Sequence, residues 1–75
     1  MKYGIIDIGS NTIHTVVYEC RGKKINVILD EFDNAHLYDY VKNGVMTRRG
    51  IILLEQSVAE ALNQCRLTKT DKVIC

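Results

Sequence analysis

The sequence has little net charge, no long apolar run and no cysteines in a metal-binding pattern. Its 75 residues carry a formal net charge of +1 and no run of Lys and Arg exceeds two residues, so nothing in the composition indicates binding to nucleic acid or a membrane surface. No stretch approaches the ~20 apolar residues of a membrane-spanning helix. Asp7 interrupts the first apolar stretch too early for a secretory signal peptide. We expect a soluble, cytoplasmic protein.

The cysteines do not form a recognisable redox or metal motif. Cys20, Cys65 and Cys75 include no C-x-x-C and have no metal-ligand spacing with the two histidines. An odd, scattered set of this kind is typical of reduced thiols, and we expect Cys20 and Cys65 to fill the core. The 47% apolar and 25% charged composition is that of an ordinary globular domain.

The apolar pattern predicts the element order strand, strand, strand, helix, strand. Thr47 is a plausible N-cap, and the helix is expected over 48–66 with one apolar stripe. Gly22 is expected in the left-handed conformation of a hairpin turn, and 32–44 to be a loop or a short irregular helix. The strands are predicted at 2–8, 13–20, 25–31 and from Val73 onward, and the stripe at Ile51, Leu54, Val58, Ala61, Leu62 and Cys65.

This order predicts an α/β fold within a single partial domain, residues 1–75. The first three strands form an antiparallel meander, and the long helix makes a right-handed crossover that places the fourth strand parallel to the first. One helix can cover only one face of such a sheet. Val73-Ile74-Cys75 is an apolar run without a closing turn, and we expect the chain to be the N-terminal part of a longer protein.

The most informative segment runs from Ile5 to Thr12. An apolar strand ends in the carboxylate of Asp7, followed by Gly9, Ser10, Asn11 and Thr12. Gly9 permits a tight reversal and Asn11 tolerates the positive φ that such turns often need. A turn of this type directs backbone N–H groups into one concavity, which favours an anion. Asp7 would hold a hydrated Mg²⁺ that bridges to a phosphate.

A purely structural interpretation of the same residues stays open. A strand–turn–strand connection uses Gly, Ser, Asn and Thr simply to turn, and Asp7 could be a solvated acid at a strand end. Thr12 is expected to support the turn more than to contact a ligand. His14 lies inside a strand, where a histidine is more often satisfied by its neighbours than used as an acid or base.

The segment 3–14, Tyr-Gly-Ile-Ile-Asp-Ile-Gly-Ser-Asn-Thr-Ile-His, resembles the opening of the exopolyphosphatase and guanosine pentaphosphate phosphohydrolase (Ppx/GppA) family. That family belongs to the superfamily of actin-like ATPases, Hsp70 and sugar kinases, with a ribonuclease H-like fold. The resemblance continues through His36-Leu37, similar to a basic-Leu step in the family, and through the long helix to the last strand. This chain departs from the family at Tyr38-Asp39-Tyr40, where a Gly-acid-Gly sequence is usual.

The resemblance implies a Mg²⁺-dependent phosphohydrolase that cleaves phosphoanhydride bonds of polyphosphate or guanosine pentaphosphate. It implies a metal site at Asp7, phosphate contacts at Gly9, Ser10, Asn11 and Thr12, and two weaker candidates, His14 and His36. The glutamate that activates water and the second phosphate loop of similar proteins lie beyond the equivalent of Cys75. The isolated chain is therefore expected to carry the first phosphate loop without activity.

Two other functions remain as alternatives. One is a fragment of an ATP-dependent sugar kinase or actin-like ATPase, which uses a similar Asp-x-Gly loop for nucleotide, although Gly-Ser-Asn argues against it. The other is a non-catalytic module that acts only through association. Because one helix leaves one sheet face uncovered, we expect the chain to form a homodimer.

Overall fold

The computed structural model describes all residues from Met1 to Cys75. None of its helices combines the length and the apolar character that crossing a bilayer requires. The chain forms β1 (Lys2–Ile8), β2 (Ile13–Arg21), β3 (Lys24–Asp33), a 3₁₀ helix (Leu37–Tyr40), β4 (Val41–Lys42), β5 (Val45–Met46), α1 (Arg48–Leu67) and β6 (Lys72–Ile74).

The main sheet confirms the predicted topology. Its strand order is β3-β2-β1-β6. β2 is antiparallel to both β1 and β3, whereas β6 is parallel to β1, with Gly4 opposite Val73. The connection from β5 through α1 to β6 is the crossover that a parallel pair requires. A bulge between Val17 and Tyr18 shifts the register of β2 against β3.

Two hairpin turns depend on residues with positive φ. Gly22 has φ 58 between β2 and β3, as predicted. Asn43 and Gly44 have φ 54 and 76 and join β4 to β5, the combination that a two-residue type I′ turn needs. The prediction of only a loop or short helix over 32–44 is therefore partly wrong. It includes the 3₁₀ helix but missed this hairpin and the end of β3.

The predicted N-cap of α1 is confirmed. The backbone N–H of Gly50 donates to Oγ1 of Thr47 over 3.2 Å, which satisfies one of the free donors at the helix start. Gly50 is buried, and a Cβ there would lie 2.5 Å from Cβ of Tyr40 and 2.8 Å from Cγ of Met46. The glycine that weakens the helix intrinsically is thus needed to seat it against the 3₁₀ helix and β5.

The apolar stripe predicted for α1 is partly wrong. Ala61 and Cys65 are buried and Leu54 packs against the core, but Ile51 and Leu62 are 46% and 43% exposed. Helix and sheet approach so closely that a Cβ on Gly4 would lie 2.9 Å from Sγ of Cys65. Because the helix lies so close to the sheet, small side chains of α1 face the sheet, and the larger Ile51 and Leu62 lie towards solvent. The buried residues of α1 are Gly50, Ser57, Ala61 and Cys65.

Alternation along the strands divides the sheet into a covered face and an open face. Ile6, Ile13 and Val17 point towards α1 and are almost completely buried, together with Cys65. The side chains between them lie on the other face, which no element covers. The expectation for Cys20 is wrong, because this residue is only half-buried and its alternation in β2 places it on the open face. The open face carries Tyr3, Ile5, Asp7, His14, Val16, Tyr18, Val27, Asp30 and Phe32.

Candidate functional site

The Gly9–Thr12 loop joins the end of β1 to the start of β2. The backbone N–H of Gly9 donates to the carbonyl oxygen of Thr12 over 3.0 Å. A Cβ on Gly9 would lie 3.1 Å from that same oxygen, so the glycine allows a close approach. The expectation of a positive φ at Asn11 is wrong, since neither it nor Gly9 adopts the left-handed conformation. The loop reverses without it because its four residues are enough to span the hairpin.

Three consecutive N–H groups in this loop are free. Those of Ser10, Asn11 and Thr12 donate to no atom of the chain. Ser10 and Asn11 are exposed and Thr12 is half-buried, so these donors are open to solvent or to a ligand. Successive free N–H groups on a short turn form an anion-binding concavity when they converge. The loop therefore has free donors at three of the residues predicted to contact phosphate, and those contacts stay a prediction.

The carbonyl side of the loop is held by the segment after β3. The backbone N–H of His36 donates to the carbonyl oxygen of Asn11 over 2.9 Å, and that of Tyr38 donates to Ser10 over 2.8 Å. Oγ1 of Thr12 lies 3.4 Å from Oδ1 of Asn34. His36 adopts φ 51 to direct its N–H at the loop. The segment 34–38 therefore fixes the carbonyls of the loop and leaves its N–H groups available.

Asp7 projects from β1 onto the open face, directly opposite His14 on β2. It is exposed and has no hydrogen-bonding or ion-pair partner. Nε2 of His14 lies 2.6 Å from Oδ1 of Asp30, and its ring stacks on Phe32 with centroids 4.0 Å apart. His14 is thus satisfied by its neighbours, and Asp7 is the free carboxylate nearest to the loop along the chain.

The surroundings of Asp7 are compatible with a hydrated metal ion but not with a protein cage. No three His, Cys, Asp or Glu side chains converge to hold an ion. A metal here would take one carboxylate from this chain, with water or ligand oxygens filling the other positions. Mg²⁺ is commonly bound in this way because it keeps several waters.

His36 and the tyrosines and arginines that follow it in the sequence differ in how they relate to the loop. His36 is exposed, and its link to the loop is through its backbone. Tyr38 is 68% exposed beside an apolar pocket that reaches Gly9 and Ser10. Tyr40 packs against Gly50 and not against the open sheet face. Arg48 and Arg49 are exposed at the start of α1 and do not line that pocket.

Residues of β3 and the segment after it contribute more than the sequence analysis indicated. Asp30 and Phe32 orient His14, and Asn34 contacts Thr12. The tight turn at Gly22 fixes the register of the first part of the β2–β3 pair, but that register continued along the strands would place Glu31 opposite His14. The bulge at Val17/Tyr18 shifts that register, and no sequence pattern announced it.

Comparison with solved structures shows a close similarity in fold. An exopolyphosphatase from Cytophaga hutchinsonii superposes with a TM-score of 0.91 at 17% identity, over 99% of this chain and 24% of that one. A type II variant of the Aquifex aeolicus Ppx/GppA phosphatase gives 0.87 at 22% identity, over 97% and 25%. The Aquifex aeolicus PPX-GPPA enzyme gives 0.84 at 23% identity, again over 97% and 25%.

The chain has the fold of part of these phosphatases. It spans about a quarter of the length of each, and the mixed sheet with its parallel β1–β6 pair is the shared arrangement. No protein-family model and no curated protein matches the sequence. The fold expected from the resemblance to the Ppx/GppA family is confirmed.

Proposed function

We propose that this chain supplies the first phosphate-binding loop of a Mg²⁺-dependent phosphohydrolase. The substrates would be phosphoanhydrides, either polyphosphate or guanosine pentaphosphate. The observation that carries the proposal is the run of three free N–H groups at Ser10, Asn11 and Thr12, on a loop whose carbonyls are already bonded. The fold similarity to an exopolyphosphatase and to Ppx/GppA phosphatases supports the same chemistry.

Charge explains why such a loop would work with a cation. No Lys or Arg belongs to the loop, and the polar residues nearby on the open face are Asp7, His14 and Asp30. Two carboxylates beside an anionic phosphate would repel it. Mg²⁺ bound by Asp7 would offset the negative charge of this carboxylate and attract the phosphate. When bound, the metal would supply charge neutralisation for a phosphoryl group.

The residues of this chain bind and orient in the proposed mechanism. The N–H groups of the Gly9–Thr12 loop would donate to phosphoryl oxygens, and the 34–38 segment would keep the loop in place. Attack of water on a phosphoanhydride also needs a group aligned with the nucleophile. His14 is held by Asp30 and Phe32, so we assign that role to a residue outside this chain.

The proposal is tested by titrating the ¹⁵N-labelled chain with inorganic tripolyphosphate, with and without Mg²⁺. We expect the amide resonances of Ser10, Asn11 and Thr12 to shift most, and only with Mg²⁺ present. Asp7→Asn should remove the Mg²⁺-dependent shifts. Asp39→Asn is a matched control, because Asp39 is also exposed and its side chain has no partner. Shifts concentrated elsewhere, or unchanged in Asp7→Asn, would overturn the proposal.

A further inference from the structure

A second concavity lies between α1 and β3, on the covered side of the sheet. Its volume is about 220 Å³. α1 packs over β1 and β2 and leaves the inner face of β3 largely uncovered, so a cleft remains along that edge. The polar residues of its lining are Thr15, Glu31, Asp33, Asn34, Ser57, Glu60 and Gln64.

The charge in this cleft is entirely negative. Glu31 and Asp33 lie on the β3 wall and Glu60 on the α1 wall, and no Lys, Arg or His lines the cavity. None of the three carboxylates forms an ion pair within the chain. The two walls therefore present unpaired carboxylates to the same space, which attracts a cation.

Two mostly buried residues of the cleft, each with a hydroxyl group, make no side-chain hydrogen bond within the chain. Thr15 is 3% exposed and Ser57 is 8% exposed, and both line the cavity. Neither hydroxyl makes a hydrogen bond within the chain. Every side-chain oxygen without a hydrogen bond keeps some accessible surface. Because Thr15 and Ser57 line the cavity, we infer that their hydroxyl oxygens are accessible from it. Because these oxygens reach the cavity, a ligand in the cleft can form hydrogen bonds with both.

The size and the spread of the acceptors identify the class of cation. No three metal-ligating side chains converge here, so the cleft does not offer the coordination shell of a bare metal ion. Its volume of about 220 Å³ is several times the ~30 Å³ share of one water molecule. An ammonium group has three donors and no acceptor, which complements carboxylates, hydroxyl oxygens and amide oxygens. Carboxylates on two opposite walls suit a molecule with a cation at each end.

We propose that this cleft binds a small alkyl diamine, with one ammonium group at the Glu31 and Asp33 wall and the other at Glu60. The alkyl segment between them would lie against Ile13 and Ala61, two of the three apolar residues of the lining. The Thr15 and Ser57 hydroxyls would accept hydrogen bonds from the ammonium groups. This site is separate from the N–H groups of the Gly9–Thr12 loop and does not depend on phosphate binding there.

The test is calorimetry and ¹⁵N-amide titration of the chain with 1,4-diaminobutane. We expect saturable binding, with shifts at the amides of Thr15, Ser57 and Glu60, and weakening as salt is added because the carboxylates are exposed. The neutral analogue 1,4-butanediol should produce no saturable shifts at these positions. Equal effects of the diol and the diamine would overturn the proposal, and so would shifts with Mg²⁺ but none with the diamine.

Single substitutions separate the cleft from general attraction to a negative surface. Glu60→Gln should weaken diamine binding about tenfold, the loss expected for one charge-assisted contact. Ser57→Ala should weaken it less. Glu55→Gln is the matched control, because Glu55 is an exposed acid of the same helix that does not line the cavity, and its affinity should be unchanged. Equal affinity in Glu60→Gln and Glu55→Gln, with both variants showing wild-type helicity by circular dichroism, would refute the assignment.

Discussion

The sulfur of Cys65 lies 2.9 Å from the position that a Cβ on Gly4 would occupy. Strand β1 therefore contacts helix α1 at a residue without a side chain, Gly4, and the helix contributes the small side chain of Cys65. Thr70 approaches the same position to 3.2 Å. This contact fixes how closely the only long helix approaches the sheet, and it explains why the buried residues of α1 are small.

Gly4→Ala should destabilise the chain by about 1–3 kcal/mol, the usual range for adding a methyl group to a packed core. The measurement is urea unfolding followed by circular dichroism. Combining it with Cys65→Ala removes the nearest obstructing atom, so the double variant should lose less stability than the sum of the two single variants. Simple additivity would show that the Gly4–Cys65 contact does not limit the helix–sheet distance.

Stability should fall at alkaline pH in a way that depends on Cys65. Burial raises the pKa of the Cys65 thiol above its usual 9.0, and the charge of Cys75 raises it further. The folded state then binds this proton more tightly than the unfolded state. The resulting stabilisation is complete below pH 9 and is lost as the pH rises from there through the folded pKa.

The free-energy difference between wild type and Cys65→Ala should therefore shrink as the pH rises above about 9. Cys75→Ala should keep most of this trend, because burial is the larger cause of the shift. Alkylation by iodoacetamide gives a second measurement, in which the exposed Cys75 reacts well before Cys65. A pH-independent difference would contradict the prediction.

In a longer protein that carries this segment and hydrolyses phosphoanhydrides, Asp7→Ala should lower turnover ~10²-fold or more with little effect on folding. Asp7 is exposed and unpaired, so its removal takes away charge placement and not packing. Release of phosphate at saturating Mg²⁺, without any acceptor molecule, is the measurement, and it also separates a hydrolase from a kinase. Wild-type turnover in the variant would remove Asp7 from the proposed site.

The isolated chain should release no phosphate from polyphosphate with Mg²⁺. A single loop open to water on its other sides leaves each contact with the phosphate weak, because water screens it. We also assign the activation of water to a residue outside this chain. The assay is a colorimetric phosphate measurement over many hours. Release that Asp7→Ala abolishes would show that this chain carries a complete site.

The chain should self-associate through the open face. Several large apolar side chains on that face have no cover, among them Val27 at 63% and Phe32 at 64% exposure. Burying such a patch at ~25 cal/mol per Å² offsets much of the cost of association. Val27→Lys should shift sedimentation towards monomer, whereas Val45→Lys should not, because Val45 is 68% exposed on the β4–β5 hairpin, away from this face. A wild-type monomer at micromolar concentration would refute the prediction.

Local sequence patterns determined the order of the elements and most of their ends. Alternation and turn residues located β1, β2 and β3, Thr47 located the start of α1, and Gly22 located a turn, because each effect acts over a few residues. The Asn43-Gly44 dipeptide is also a sequence signal for a hairpin turn, but the sequence analysis did not predict it. The Gly9–Thr12 loop was recognised from its residue types, and the resemblance of its motif anticipated the fold.

The tertiary structure decided which atoms of that loop are available. The segment 34–38 bonds to the loop carbonyls across more than twenty residues of sequence, and no local pattern fixes such a pairing. The rotation of α1 was also decided by packing, since the gap at Gly4 favours small side chains over the larger apolar ones that periodicity selects. The acidic cleft beside β3 is also a result of packing, because a single helix over β1 and β2 is too narrow to cover the whole sheet.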